Sequence, residues 1–275
     1  MVDAIYRGMN RALLDAAYNN RNAVAGYPAI AAEREARSEK VRRVRQFHAD
    51  LRYGSGARER LDLFPAERPG APLLVFIHGG YWQMNDKEAS SFLVEGPLAN
   101  GFSVALVEYT LAPDADIDRI VGEVGRAIGW LAAHAQEYGA DPARLYVSGH
   151  SAGGHLTAMM LGNPAVAGAL AISGLFDLEP IRLCYLNEKL GLTTDAAQRN
   201  SPVRHVPARS PRIVVAVGAS ELPELVRQSG EYAAALGARG LPVQPLLLAG
   251  HDHFSILEEL ARPKGALCNA LVELA

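Results

Sequence analysis

Three short stretches of this 275-residue chain carry residue types suited to acyl transfer. The first is Gly149-His150-Ser151-Ala152-Gly153, set between the apolar run Leu145–Ser148 and the helical stretch Ala152–Leu161. A serine that attacks a carbonyl must stand on a sharp strand-to-helix turn, its hydroxyl clear of the sheet. Glycines on either side allow close backbone approach, and the helix N-terminus favours developing negative charge. Ser151 is the expected nucleophile, and the Ala152 N–H one expected oxyanion donor; the plain alternative is an ordinary strand–helix turn. The second stretch is His78-Gly79-Gly80-Tyr81-Trp82, directly after the apolar run Leu73–Ile77. Acyl transfer needs N–H groups aimed at the oxyanion, and a glycine pair here lets a loop pass close to the serine. The third is Gly250-His251-Asp252-His253-Phe254, after Val243–Leu248. A serine needs a base within reach, and the base needs an acid that fixes its tautomer. The chain order serine, acid, histidine puts the acid after Ile213–Val217, where Glu221 and Glu224 are available. Glu221 leaves the strand at the right place, whereas Glu224 follows Pro223 and suits a first helical turn. His251 and His253 are both open as the base.

Other chemistries find little support. His251, Asp252 and His253 make a thin ligand set that no second His/Asp cluster joins in sequence, so no metal is expected. Neither a Gly-x-Gly-x-x-Gly nor a phosphate-binding loop is present, so no cofactor is expected. The remaining histidines, His150 and His155 among them, read as core or surface residues. Cys184 and Cys268 fit neither a disulfide framework nor a zinc site and read as buried thiols. With 27 basic and 30 acidic residues the net charge is −3, which argues against nucleic acid as a partner. Met1 to Asn20 mixes charged with apolar residues, as an amphipathic helix would and a signal peptide would not. No uncharged apolar run reaches membrane-spanning length, so no membrane partner is expected and the cytoplasm is the default location. The substrate is then a small molecule; oligomeric state is not legible.

The elements that must position these residues follow from hydrophobic periodicity. Val44–Tyr53 and Glu59–Phe64 flank Gly54-Ser55-Gly56 and read as a hairpin. Continuously apolar runs follow at 73–77, 103–107, 145–148, 169–173, 213–217 and 243–248, mostly separated by helical stretches. Strands alternating with helices imply a doubly wound, mostly parallel sheet, here with an antiparallel N-terminal hairpin. We expect one α/β domain over residues 1–275, with a helical extension over about 1–43 (Val2–Tyr18, then Ala29–Arg43). The mixed charge of the second helix reads as a solvated face. The stretch from about 175 to 211 breaks the rhythm and reads either as a lid or pocket wall or as a structural connection.

Taken together these residues resemble a known family, the α/β-hydrolase serine hydrolases of the arylformamidase (kynurenine formamidase) type, close to hormone-sensitive-lipase-like esterases. The resemblance rests on His78 to Trp82, Asp86-Lys87, Glu108-Tyr109-Thr110-Leu111-Ala112-Pro113, Gly149 to His155, Pro223-Glu224 with Arg227-Gln228-Ser229, and Asp252-His253-Phe254. Tyr53-Gly54 and Leu61-Asp62-Leu63-Phe64 match as well, so it covers nearly the whole chain. It implies an α/β-hydrolase fold, a Ser151–Glu221–His253 triad, and an oxyanion hole from the Gly80 and Tyr81 N–H groups beside that of Ala152. It departs from the family at Glu221 and Glu108, where Asp is usual. Tyr81, Trp82 and Phe254 are expected to form an aromatic pocket wall. The expected activity is hydrolysis of a small amide or ester through an acyl-enzyme. An N-formylkynurenine-type amide is the first candidate substrate, a short acyl or aryl ester the second, and a non-catalytic binding protein a distant third.

Overall fold

Local sequence explains the chain's first turns. In the computed structural model, which describes residues 4–275, Ile5–Met9 form a tight turn closed by the Ile5 N–H to the Met9 carbonyl at 2.8 Å. Gly8 takes φ +80° there, so the long helix expected over Val2–Tyr18 does not form. Its first two residues, Val2 and Asp3, lie outside the described residues. Helix α1 (Arg11–Ala17) begins where the Asn10 side chain accepts from the Leu13 N–H at 3.0 Å. A single turn, α2 (Asn20–Ala23), follows, then α3 (Tyr27–Val44), which starts at Gly26 (φ +75°) with Pro28 in its first turn.

The sheet has eight strands: β1 (His48–Arg52), β2 (Arg60–Phe64), β3 (Ala71–Ile77), β4 (Ser103–Val107), β5 (Ala140–His150), β6 (Val166–Ile172), β7 (Arg212–Gly218) and β8 (Val243–Leu248). Their spatial order is β1-β2-β4-β3-β5-β6-β7-β8. Strands β1 and β2 pair antiparallel, β2 joins β4 antiparallel, and β3, β4 and β5 to β8 run parallel. The first strand is shorter than expected because α3 continues through Val44. The interior strands are apolar at nearly every position because both faces are covered. On one face pack α5 (Ile117–His134) and α6 (Ala152–Met159), with the other face covered by α4 (Glu95–Ala99), α11 (Glu258–Ala261) and α12 (Ala266–Leu274). Helix α10 (Pro223–Ala238) seals the β7 end through Tyr232 and Leu236.

The segment after β6 holds three short helices, α7 (Glu179–Leu183), α8 (Asn187–Leu190) and α9 (Thr194–Arg199). Leu178, Ile181, Cys184 and Leu190 anchor it in the core. No helix among the described residues is long and apolar enough to cross a membrane.

Candidate active site

Strand β5 ends at His150 and α6 starts at Ala152, which leaves Ser151 alone to turn the chain. Its φ of +58° with ψ −117° is a conformation that residues with a Cβ rarely adopt. The turn is held by the Ser151 N–H donating to the Ile172 carbonyl at 2.9 Å. Two glycines make it possible. A Cβ on Gly153 would lie 1.9 Å from the Ile77 carbonyl oxygen, and one on Gly79 would lie 2.7 Å from the His150 carbonyl oxygen. The 78–82 loop therefore crosses directly over the serine turn.

His253 is oriented from behind. Its Nδ1–H donates to Glu221 Oε2 at 2.6 Å, which leaves Nε2 as the ring's free nitrogen. Glu221 is itself fixed: Oε1 accepts from Ser173 Oγ at 2.6 Å and from the Gly218 N–H at 2.8 Å, and its side chain is fully buried. The His253 carbonyl accepts from His150 Nε2 at 2.7 Å, with the two rings 4.5 Å apart. Burial, then the neighbouring His253, holds His150 well below its ordinary pKa, so it is neutral and can donate.

The alternatives separate cleanly. Glu224 accepts two bonds from Arg227 at 2.9 and 2.6 Å and one from the Tyr18 hydroxyl at 3.0 Å, so its carboxylate is engaged elsewhere. His251 faces Glu259 at 3.6 Å instead of Glu221. Among the described residues no three His, Cys, Asp or Glu side chains converge to hold a metal.

The 78–85 loop is held from below by Glu108, which is fully buried. His78 Nε2 lies 3.2 Å from its carboxylate, the Lys87 N–H donates to it at 3.2 Å, and Arg58 pairs with it. Burial would raise this carboxyl, but His78, Arg58 and the Lys87 N–H outweigh burial and hold it below the usual carboxylate range. The His78 ring stacks on Tyr109 at 4.3 Å, and the Tyr109 hydroxyl donates to the His78 carbonyl at 3.0 Å. Above this base Gly80, Tyr81 and Trp82 all have positive φ (+112°, +51° and +59°). Among the described residues no backbone acceptor takes the N–H of Gly80, Tyr81 or Ala152, so these donors are available to a ligand.

Ser151, His253, Tyr81 and Phe254 line one cavity of about 800 Å³. Trp82 does not. It is fully buried, edge-on to His155 at 5.0 Å, because its main chain turns it into the core beneath α6. The aromatic wall includes Tyr27 of α3 instead, 4.4 Å from Phe254. The N-terminal segment supplies further lining through Asn20, Arg21, Ile30 and Arg34. So the second helix is not merely a solvated charged face. Arg34, only 11% exposed, donates to the Phe254 carbonyl at 2.5 Å and pairs with Glu258, while Arg42 pairs with the buried Asp62 at 2.6 Å. The segment from about 175 to 211 reaches the cavity through Tyr185 and Leu186. Sequence reasoning missed Ser173, Tyr27, Asn20 and Arg34; only the position of Ser173 at a strand end, as for Gly218, hinted at a site.

Comparison with known proteins agrees with this fold. The BD-FAE family matches residues 61–166 and the prolyl oligopeptidase family residues 124–264. The chain is 37% identical over 252 residues to a kynurenine formamidase of Danio rerio, covering 86% of this chain and 85% of that one. It is 32% identical to a kynurenine formamidase of Drosophila melanogaster, covering 77% and 76%. Among solved structures, a candidate thioesterase from Silicibacter sp. TM1040 superposes with TM-score 0.86 at 32% identity, covering 94% of this chain and 98% of that one.

Proposed function

The chain belongs to the kynurenine formamidase family of α/β-hydrolases, and from that premise we propose that it hydrolyses N-formyl arylamines of the N-formylkynurenine type in the cytoplasm. The observation that best supports the reading is the buried Glu221–His253 pair at 2.6 Å, whose His253 lines the same cavity as the strained Ser151.

In the proposed cycle Ser151 Oγ attacks the formyl carbon while His253 Nε2 takes its proton. The carbonyl electrons move onto oxygen, and the N–H groups of Gly80, Tyr81 and Ala152 receive the oxyanion. Each such donor is typically worth about 10²–10³ in rate. His253 then returns the proton to the leaving arylamine nitrogen, and the carbon–nitrogen bond breaks. Water, deprotonated by His253, releases formate and restores the serine. Glu221 keeps the imidazole in the tautomer that leaves Nε2 free and stabilises the imidazolium between the two proton transfers. The Tyr27–Phe254 pair offers a face for the aryl ring. Arg21, its guanidinium 5.2 Å from the Tyr27 ring centre and paired with no carboxylate among the described residues, suits a substrate carboxylate.

The second reading is a short-chain or aryl esterase, favoured by the likeness to a candidate thioesterase. Measured kcat/KM on N-formylkynurenine beside p-nitrophenyl acetate decides between them. We expect the formamide to be preferred, and Ser151→Ala to remove turnover of both by at least about 10³. Turnover of the ester alone would establish the second reading. Full activity of folded Ser151→Ala would overturn both.

A further inference from the structure

The strained 80–82 turn carries two of the proposed oxyanion donors, and two of its three residues lack the freedom of glycine. Such a conformation persists only where its surroundings over-determine it. Trp82 is fixed by burial and by its carbonyl, which accepts from the Ala112 N–H at 2.8 Å. Tyr81 is fixed through its hydroxyl, and both partners come from the N-terminal segment. The hydroxyl donates to the Tyr18 carbonyl at 2.6 Å and accepts from Asn20 Nδ2 at 2.9 Å. The Tyr18 hydroxyl in turn donates to Glu224 at 3.0 Å and accepts from Gln228 Nε2 at 2.8 Å, both on α10. The segment thus runs as a strap from the helix behind the acid loop to the oxyanion loop.

Asn20 makes the point sharper. It is 4% exposed, and its Oδ1 has no partner among the described residues. A buried amide with half its capacity unused is a poor choice for stability alone. The bond from its Nδ2 to Tyr81 gives the residue a role.

We infer that Asn20 and the Tyr18 carbonyl are positioning groups for the oxyanion hole, acting through the Tyr81 hydroxyl. The inference rests on the reading above that the Gly80 and Tyr81 N–H groups receive the oxyanion. With the hydroxyl unheld, the Tyr81 backbone relaxes from its left-handed conformation and its N–H swings off the oxyanion position. The donors matter more in the transition state than for the bound amide, so the loss falls on kcat.

The test compares Tyr81→Phe, Asn20→Leu and the double variant in the full-length protein, with melting curves to establish folding. Tyr81→Phe keeps the ring and removes both bonds; Asn20→Leu keeps the volume and removes one. Each should lower kcat about tenfold, less than deleting a donor outright, with KM little changed. An arylboronic acid, whose serine adduct mimics the tetrahedral intermediate, should lose affinity by the same factor. Because both variants act through one hydroxyl, the double variant should be no worse than Tyr81→Phe. Wild-type kcat in folded Tyr81→Phe, a loss confined to KM, or multiplying losses in the double variant would each overturn the inference. None of those outcomes would touch the serine assignment, which Ser151→Ala tests separately.

Discussion

The two walls of the cavity are held together by different physics. The wall at the carboxyl ends of the strands is built from main chain. Glycines at 79 and 153 let loops approach within van der Waals limits, and Ser151 is bent into place by the register of β5 on β6. The wall from the N-terminal segment is built from side chains reaching across long sequence separations. Tyr18 meets Glu224, Arg34 meets Glu258 and Phe254, and Arg42 meets Asp62. The first kind leaves local signatures because only certain residues fit such backbone. The second leaves almost none, since an Arg that reaches a distant Glu reads like any surface Arg until the fold brings them together. Ser151 and His253 sit on the first wall, and the second closes the cavity over them.

The largest expected effect separates the two carboxylates that serve these walls. Glu221→Gln removes the acceptor that sets the tautomer of His253, and such losses reach about 10⁴ in kcat in serine proteases. Its melting temperature should fall little. Glu224→Gln should leave most of kcat and lower the melting temperature, because Glu224 anchors Tyr18 and Arg227. Steady-state kinetics and thermal melts on both variants check this; the reverse ranking would show that the acid belongs to the other wall.

A smaller effect belongs to selectivity. Arg21→Met should raise KM about tenfold for a substrate with a carboxylate, the scale of one charge-assisted contact at a partly exposed site. It should leave KM for a neutral aryl ester unchanged. Equal effects on both substrates would remove Arg21 from substrate recognition.

The smallest effect is on stability, and pH separates the walls. His155, under the serine turn, has its pKa lowered by burial to about 4, from 6.5. Between those values the unfolded chain binds the extra proton, so stability falls as pH drops from about 6.5 to 4 at up to ~1.4 kcal/mol per unit. His150 acts in the same direction. The N-terminal wall responds lower down. Burial raises the Glu224 and Glu258 carboxyls, but Arg227 and the Arg37–Arg34 pair respectively outweigh it and hold both below the usual range. Their contribution is present above the unfolded carboxylate pKa and is lost only as pH falls through their folded values. Urea melts at pH 7 and 5 on the wild type and on His155→Gln should differ. The fall in stability should shrink by about 2 kcal/mol in the variant. An unchanged pH dependence would mean that His155 is not held neutral by the fold.

The parallel sheet and the serine turn were legible because their physics is local. Strands 103–107 and 213–217 fall where the apolar runs predict, since strands buried on both faces need unbroken hydrophobicity. Ser151 and its glycines are marked by spacing, as close backbone approach admits no other residue. Glu221 and Glu224, three residues apart, were ranked from the sequence by their places after the strand and at a helix start, but pattern gave neither a partner. Only the position of β7 relative to the 250–254 loop puts one carboxylate on His253 and turns the other toward Arg227. Trp82 shows the same limit. Its sequence neighbour Tyr81 faces the cavity, yet two successive left-handed residues turn the indole into the core. The sequence by itself therefore determined the backbone-built machinery: the sheet, the serine turn and the loop that crosses it. Tertiary structure decided which partners the carboxylates meet, His253 for Glu221 and Arg227 for Glu224, and that the charged N-terminal helix closes the cavity. Apart from the Glu224–Arg227 pair, those outcomes depend on side chains meeting across 20 to 224 positions in the chain, and such meetings leave no periodicity in the sequence.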